Sequence, residues 1–255
     1  MQKSFMFPLQ AAWAALCCAV FAWGAEDASG PNEPSPPPEE ARPRVLVAGF
    51  EPFGGRERNA GWIAARAFEK EDAALHYIQL PVRWEHPLKK LDAAVGSFEP
   101  DAVIIFGEQE ERRFSLEVLA RDRRWMSVRD SAGNFAVTRR RAPESPEAFM
   151  NRLPLYSWAE VLGRKGFPTE VSYDAGGLQC EELYYHLMRR RWREGDDAQT
   201  PPVVLLAHVP YLGSSLENSA EGEAICDRAM LERFGATLGQ IVLEHLQNTD
   251  SGQAK

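Results

Sequence analysis

Three short runs of the sequence, residues 44–50 (RVLVAGF), 101–107 (DAVIIFG) and 201–208 (PPVVLLAH), are largely apolar with no polar alternation. A strand with one face in water alternates polar and apolar side chains. A strand apolar at successive positions needs cover on both faces, as in parallel sheets flanked by helices. Between these runs the apolar residues fall at helical spacing. The spacing predicts helices over 60–70, 88–98, 145–165 (broken near Pro154), 180–193 and 221–247. Asn59 is placed to cap the first of these, with Ile63, Ala64, Ala67 and Phe68 facing inward. Residues 75–82 and 169–174 read as further strands, and 114–120 as a strand or short extended piece. Alternating strands and helices of this kind predict an α/β fold, a sandwich with helices on both faces of the sheet.

The N-terminal part has a different composition. Lys3 is followed by an apolar run over 11–25 that ends in small residues, Ala22, Gly24 and Ala25. Residues 1–25 therefore read as a secretory signal peptide cleaved near Gly24 or Ala25, or as a retained N-terminal anchor that tethers the chain to a membrane. Residues 26–43, rich in Pro and Glu, have no apolar periodicity and read as a disordered linker. The domain spans 44–248, and 249–255 is a disordered tail. These features predict export, to the periplasm or to an outward-facing position on a membrane. A net charge of −8 argues against nucleic acid as a partner. The run Arg139–Arg141 reads as a solvated loop. Of the four cysteines, Cys180 and Cys226 lie in the mature domain. Two are too few for a disulfide framework. Cys226 is expected inside the last helix, packed and not bridged to Cys180.

Ligands in open α/β folds gather beyond the carboxyl ends of the strands. That rule selects residues 50–55, 107–117, 174–180 and 208–212. Cys180 follows an Ala-Gly-Gly turn and starts a helix, where unpaired backbone N–H groups and the helix dipole favour a thiolate. Its own N–H is placed to donate to an oxyanion. His208 ends a strand at the same edge, where an imidazole can take the thiol proton and return it to a leaving amine. Glu117 follows an unusually charged loop, and a carboxylate there can orient the imidazole. Taken singly, each has a plainer reading: a packed Cys, a half-buried His, a surface Glu. The sequence carries no H-E-x-x-H, no C-x-x-C and no Walker motif, so neither a metal nor another cofactor is expected.

Several pieces taken together resemble the pyroglutamyl peptidase I family, the pyrrolidone-carboxylate cysteine peptidases. They are F-E-P-F-G-G (50–55), N-A-G-W (59–62), Q-L-P-V (79–82), P-D-A-V-I-I-F-G (100–107), V-S-Y-D-A-G-G-L-Q-C (171–180) and H-V-P-Y-L (208–212), in the family's order. The resemblance covers nearly all of the mature domain. It implies a three-layer αβα sandwich with a mixed, mostly parallel sheet, small peptide substrates and frequent homo-oligomers. Cys180 matches the family nucleophile, His208 its base and Glu117 its carboxylate. Phe50 and Phe53 match aromatics of the pyroglutamyl ring pocket, and Leu178 stands where a Phe is usual. With Glu108 and Asn59, these are the residues assigned to the substrate pocket.

The chain also departs from the family pattern. Residues 107–112 (GEQEER) replace a neutral Gly-rich loop whose Gln helps recognise the lactam, so either Glu108 presents a carboxylate to the ring, which would move preference away from pyroglutamate, or these acids point into solvent and Gln109 takes over the role. Ser127 stands at the place of an Arg, Glu181 at that of an Asn, and Gly213-Ser214-Ser215 at that of Pro-Glu-Gln. Export is itself unusual for the family. The function expected is removal of an N-terminal pyroglutamyl or related small residue by Cys180, His208 and Glu117. Two other readings stay open: the same chemistry on a different small N-terminal group or amide, and a non-catalytic binding protein on a peptidase fold.

Overall fold

The computed structural model describes residues 42–68, 73–195, 202–217 and 224–250. The expected signal or anchor, most of the linker and residues 251–255 lie outside the described residues. The main sheet contains β1 (Arg44–Phe50), β2 (Ala74–Leu80), β3 (Ala102–Gln109), β4 (Phe114–Glu117), β7 (Thr169–Ser172) and β8 (Val203–Pro210). Their order is β2-β1-β3-β8-β4-β7. The first four in that order run parallel. β4 is antiparallel to β8 and parallel to β7, so the sheet is mixed. A separate two-stranded ribbon pairs β5 (Leu119–Arg121) with β6 (Ala148–Met150). The helices are α1 (Ala60–Arg66), α2 (His86–Phe98), α3 (Leu155–Arg164), α4 (Gln179–Arg193) and α5 (Arg228–Asp250).

The apolar strands divide their side chains between two cores, as a period of two requires. Val45, Val47, Ile104, Phe106, Leu205 and Ala207 pack with residues of α1, α3 and α5. Leu46, Ala48, Val103, Ile105, Val204 and Leu206 pack with residues of α2 and α4. The result is the expected three-layer αβα sandwich with a mixed, mostly parallel sheet. On β8 the alternation turns His208 toward the α2/α4 side. On β4, Phe114 and Leu116 join the α1/α3/α5 core, which leaves Ser115 and Glu117 on the same side as His208.

Some elements differ from the sequence expectation, each for a local reason. The helix expected over 60–70 stops at Arg66, with Ala67 as its C-cap. Phe68 then leaves the helical path and is buried against Gly239 of α5, where a Cβ would lie 2.4 Å from the Phe68 ring. The helix expected over 145–165 is confined to α3, because 148–150 pair with β5 and Asn151 breaks the chain. The Asn151 side-chain Oδ1 accepts from the Leu153 N–H (3.0 Å), and its Nδ2 donates to the Val204 carbonyl (2.9 Å) and the Tyr184 hydroxyl (2.8 Å). Such local side-chain bonds compete with a helix. The 114–120 stretch splits into β4 and β5 at Val118. Cys226 is not helical: α5 begins at Arg228, and the Asp227 side chain accepts from the Met230 N–H (2.7 Å) as an N-cap does. Arg139–Arg141 lie in an irregular loop, as expected, with Arg139 and Arg141 exposed, but two of the three are paired. Arg140 pairs with Asp122 and Glu147, and Arg141 with Glu182.

Candidate active site

α4 delivers Cys180. After β7 the chain turns through Gly176 and Gly177, both at positive φ. Gly177 donates its N–H to Glu181 Oε2 (2.6 Å) and accepts from the Trp125 N–H (2.8 Å). The first N–H of α4 that bonds back along the chain is that of Glu182, to Leu178 O. The Cys180 N–H therefore precedes the intrahelical ladder, as expected for the first turn. Glu181, fully buried, also bonds Arg121 (3.0 Å) and Arg123 (3.2 Å). These contacts tie the start of α4 to the β5 region.

β8 delivers His208 and β4 delivers Glu117. His208 Nε2 lies 3.2 Å from Cys180 Sγ, and Nδ1 lies 2.8 Å from Glu117 Oε1. All three residues are buried. A fit this close needs Gly107 on β3, because a Cβ there would lie 2.5 Å from His208 Cδ2. Glu117 Oε1 also accepts from the Ser115 hydroxyl (3.0 Å), and its backbone carbonyl accepts from the Tyr184 hydroxyl (2.9 Å). Burial disfavours the Glu117 charge. The hydrogen bond and charge of His208 outweigh it, with help from Ser172 and Ser115, so the carboxyl sits below its ordinary range. Burial also opposes charge on His208. The charge and hydrogen bond of Cys180, then those of Glu117, overcome it and push the imidazole up to about 10. His208 is thus held between Cys180 and Glu117, placed to exchange a proton with the thiol. Among the described residues, both cysteines, Cys180 and Cys226, are free. Cys226 is wholly buried, and desolvation pushes its thiol up to about 12.

Beside Cys180 lies a cavity of about 170 Å³, lined in part by Phe50, Phe53, Asn59, Glu108, Leu178 and Gln179. A void of roughly 150 Å³ holds a single six-membered ring, so this one suits a small cyclic group. Every residue assigned from sequence to the substrate pocket lines it. Of the two polar ones, Asn59 caps α1 as expected, whereas Glu108 departs from the expectation. Glu108 does not present a bare carboxylate to the cavity: Oε1 accepts from Arg56 Nε (3.1 Å) and Oε2 from the Ala60 N–H (2.7 Å). Burial raises the Glu108 pKa against those two partners. Arg56 in turn stacks over the Phe53 and Tyr211 rings. Asn59 caps α1 through Trp62 N (3.0 Å) and reaches the Glu51 carbonyl (3.4 Å). Gln109 turns away from the cavity, to Arg113 O and the Ser115 hydroxyl.

Other residues of the site had no sequence signal of their own. Ser115 was one position in an alternating run, Tyr184 was an ordinary helix residue, and Gln179 stood inside the 171–180 run with no role assigned to it. Arg129, Asp130 and Ser131 also line the cavity, although Ser127, which a gapless count aligns with the family's Arg, is exposed. Asp130 holds that loop together by accepting from the N–H groups of Trp84, Ala132 and Asn134. Among the described residues no cluster of three or more His, Cys, Asp or Glu is placed to hold a metal ion.

Comparison with known proteins agrees with this architecture. The family model for pyroglutamyl peptidase matches residues 43–232. The pyrrolidone-carboxylate peptidase of Bacillus subtilis is 30% identical over 177 residues, covering 67% of this chain and 80% of that protein. The one from Yersinia pestis (strain Pestoides F) is 28% identical over 175 residues, 66% of this chain and 79% of that protein. Among solved structures, pyrrolidone carboxyl peptidase from Fervidobacterium islandicum superimposes with a TM-score of 0.68 at 26% identity, covering 81% of this chain and 99% of that one. Pyroglutamyl peptidase I of Bacillus amyloliquefaciens gives 0.64 at 27% identity, covering 78% and 94%. The chain belongs to the pyroglutamyl peptidase family and is an enzyme of the peptidase class.

Proposed function

We propose that this protein removes an N-terminal pyroglutamyl residue from small peptides by nucleophilic catalysis at Cys180. One observation carries the reading. An imidazole lies 3.2 Å from a thiol and 2.8 Å from a buried carboxylate, and the residue that carries the thiol lines a ring-sized cavity. Relatives named pyrrolidone-carboxylate peptidases support the substrate class.

In this mechanism the pyroglutamyl ring enters the cavity between Phe50, Phe53 and Leu178, and its exocyclic carbonyl carbon meets Cys180 Sγ. The thiolate adds to that carbon, and the carbonyl electrons move onto oxygen. The Cys180 N–H at the start of α4 donates to the oxyanion. Collapse breaks the C–N bond, and His208 Nε2–H gives its proton to the departing amine. The remaining thioester is attacked by water, whose proton passes to His208, and pyroglutamate leaves with the thiolate restored. Glu117 holds Nδ1–H, which fixes the ring orientation and stabilises the imidazolium at each stage.

Hydrolysis of pyroglutamyl-aminomethylcoumarin tests the reading, with Cys180→Ala as control. Turnover by the wild type that the control abolishes is expected. Absence of turnover, or equal turnover in both, contradicts it. Export is likewise a proposal, resting on Lys3 and the apolar run that ends in Ala22, Gly24 and Ala25. N-terminal sequencing of the protein from fractionated cells checks it, a mature start near residue 25 or 26 in an extracytoplasmic fraction being expected. A homo-oligomer is proposed on the family resemblance, and light scattering of the purified chain decides it.

A further inference from the structure

The first turn beyond β1 brings two side chains together. Gly54 and Gly55 both have positive φ (62° and 79°), and the Arg56 N–H donates to Phe53 O (3.2 Å). Two left-handed central residues make this a tight turn of the primed kind, which sets residues 53 and 56 side by side at its two ends. Arg56 folds back over the turn: a Cβ at Gly54 would lie 3.4 Å from its Nη1. Its guanidinium lies over the Phe53 ring (5.0 Å to the centroid) and over the Tyr211 ring (4.0 Å). Its Nε donates to Glu108 Oε1 (3.1 Å). The Glu108 side chain is 1% exposed, and its other oxygen accepts from the Ala60 N–H at the start of α1 (2.7 Å). Burial raises the Glu108 pKa, and the Ala60 N–H, then Arg56, act against it. A buried carboxylate needs such partners to stay charged, so the pair is a fixed anchor and not a group offered to a ligand. Arg56 therefore joins three segments at the carboxyl ends of β1, β3 and β8. Phe53 and Gly54 line the ring cavity. Glu108 follows Gly107, which packs directly on the His208 ring, and Tyr211 follows His208 by three residues.

We propose that Arg56 is a positioning residue for the ring cavity: anchored on Glu108 and packed between Phe53 and Tyr211, it fixes the turn that forms one wall of the cavity. This rests on the pyroglutamyl reading and adds to it the group that holds the ring wall in place. Arg56 does not itself line the cavity. It acts through Phe53, so its loss should loosen the grip on the ring and leave the chemistry at Cys180 intact. A loss shared by the ground state and the transition state appears in KM and not in kcat.

The test uses the full chain, as wild type, Arg56→Met, Glu108→Gln and the double variant that combines the two. Arg56→Met keeps the apolar stem and removes the charge and the hydrogen-bonding fork. Should it fail to fold, Arg56→Gln takes its place in the single and the double variant. The readouts are kcat and KM for pyroglutamyl-aminomethylcoumarin, protection of Cys180 from iodoacetamide by free pyroglutamate, and the rate of that alkylation without ligand. Arg56→Met is expected to raise KM about tenfold, with kcat within about threefold of wild type. The pyroglutamate concentration that protects Cys180 should rise by a similar factor, and the unliganded alkylation rate should not change. The KM effects of Arg56→Met and Glu108→Gln should be less than additive, because both cut the same anchor. Merely structural importance would lower kcat and melting temperature together and leave KM where it was. An unchanged KM, a fall in kcat as large as the rise in KM, or fully additive effects overturns this proposal and leaves the peptidase reading standing. Wild type without turnover, but protected by pyroglutamate in a way that Arg56→Met weakens, overturns the peptidase reading and upholds the positioning role. Wild type with neither turnover nor protection overturns both.

Discussion

Glu117 has three bonds that together fix one imidazole. Its Oε1 meets His208 Nδ1 and the Ser115 hydroxyl, and its backbone carbonyl holds Tyr184. Glu117→Gln keeps the size of the side chain and removes the charge that supports the imidazolium. A fall in kcat of about a hundredfold to ten-thousandfold is expected, with little change in KM. Steady-state kinetics on the pyroglutamyl reporter measures it, and a kcat within a factor of three of wild type would contradict the assigned role. The thiols of Cys180 and Cys226 should also separate chemically. Cys180 adjoins a cavity and an imidazolium, whereas Cys226 is wholly buried and its thiol is pushed up to about 12 by desolvation. Brief iodoacetamide treatment of the native protein followed by peptide mass spectrometry should find the label on Cys180. Label on Cys226 instead would mean that the described burial is wrong.

At the scale of elements, the site is where β3, β4, β8 and the start of α4 converge. Much of this was legible in the sequence. Continuous apolar runs gave β1, β3 and β8, and the Gly-Gly turn before Cys180 marked the start of a helix. The direction of β4 was not legible, because a four-residue strand carries no mark of antiparallel pairing with β8. Its consequence is that Glu117 enters from inside the sheet, not from a loop beyond it. The breaks at Asn151 and Asp227 were illegible for a related reason: both depend on side-chain hydrogen bonds that local periodicity does not record. The closest approach among these elements is at Gly107, where a Cβ would lie 2.5 Å from His208 Cδ2. Gly107→Ala should displace the imidazole by a fraction of an ångström to one ångström and lower kcat by about ten- to a hundredfold. The backbone at Gly107 is not at positive φ, so the fold should survive. Circular dichroism alongside kinetics distinguishes a displaced His from an unfolded protein, and unchanged kinetics would contradict the tight fit.

For the whole molecule, the site residues link pH to stability. His208 is raised from about 6.5 to about 10 on folding, so its contribution is complete below about 6.5 and is lost as pH rises through about 10. Glu117 is lowered, so its contribution is present above about 4.5 and is lost as pH falls through its folded value. On these two groups stability is greatest between roughly pH 4.5 and 6.5. The melting temperature should fall as pH rises toward about 10 in the wild type and fall less in His208→Gln; parallel curves would show that the imidazole is not the linked group. The pocket was legible as a set of residues and illegible as chemistry. Glu108 stood out as an acid where the family has an amide, but only the fold shows Arg56 and the Ala60 N–H occupying its oxygens. The central claim is that Cys180 is acylated by a pyroglutamyl group. Rapid acid quench of the full chain during turnover of pyroglutamyl-aminomethylcoumarin, followed by peptide mass spectrometry, tests it most directly. One pyroglutamyl acyl group is expected on the peptide carrying Cys180 and none in Cys180→Ala. Product formation with no acyl group on Cys180, or persisting in Cys180→Ala, would contradict it.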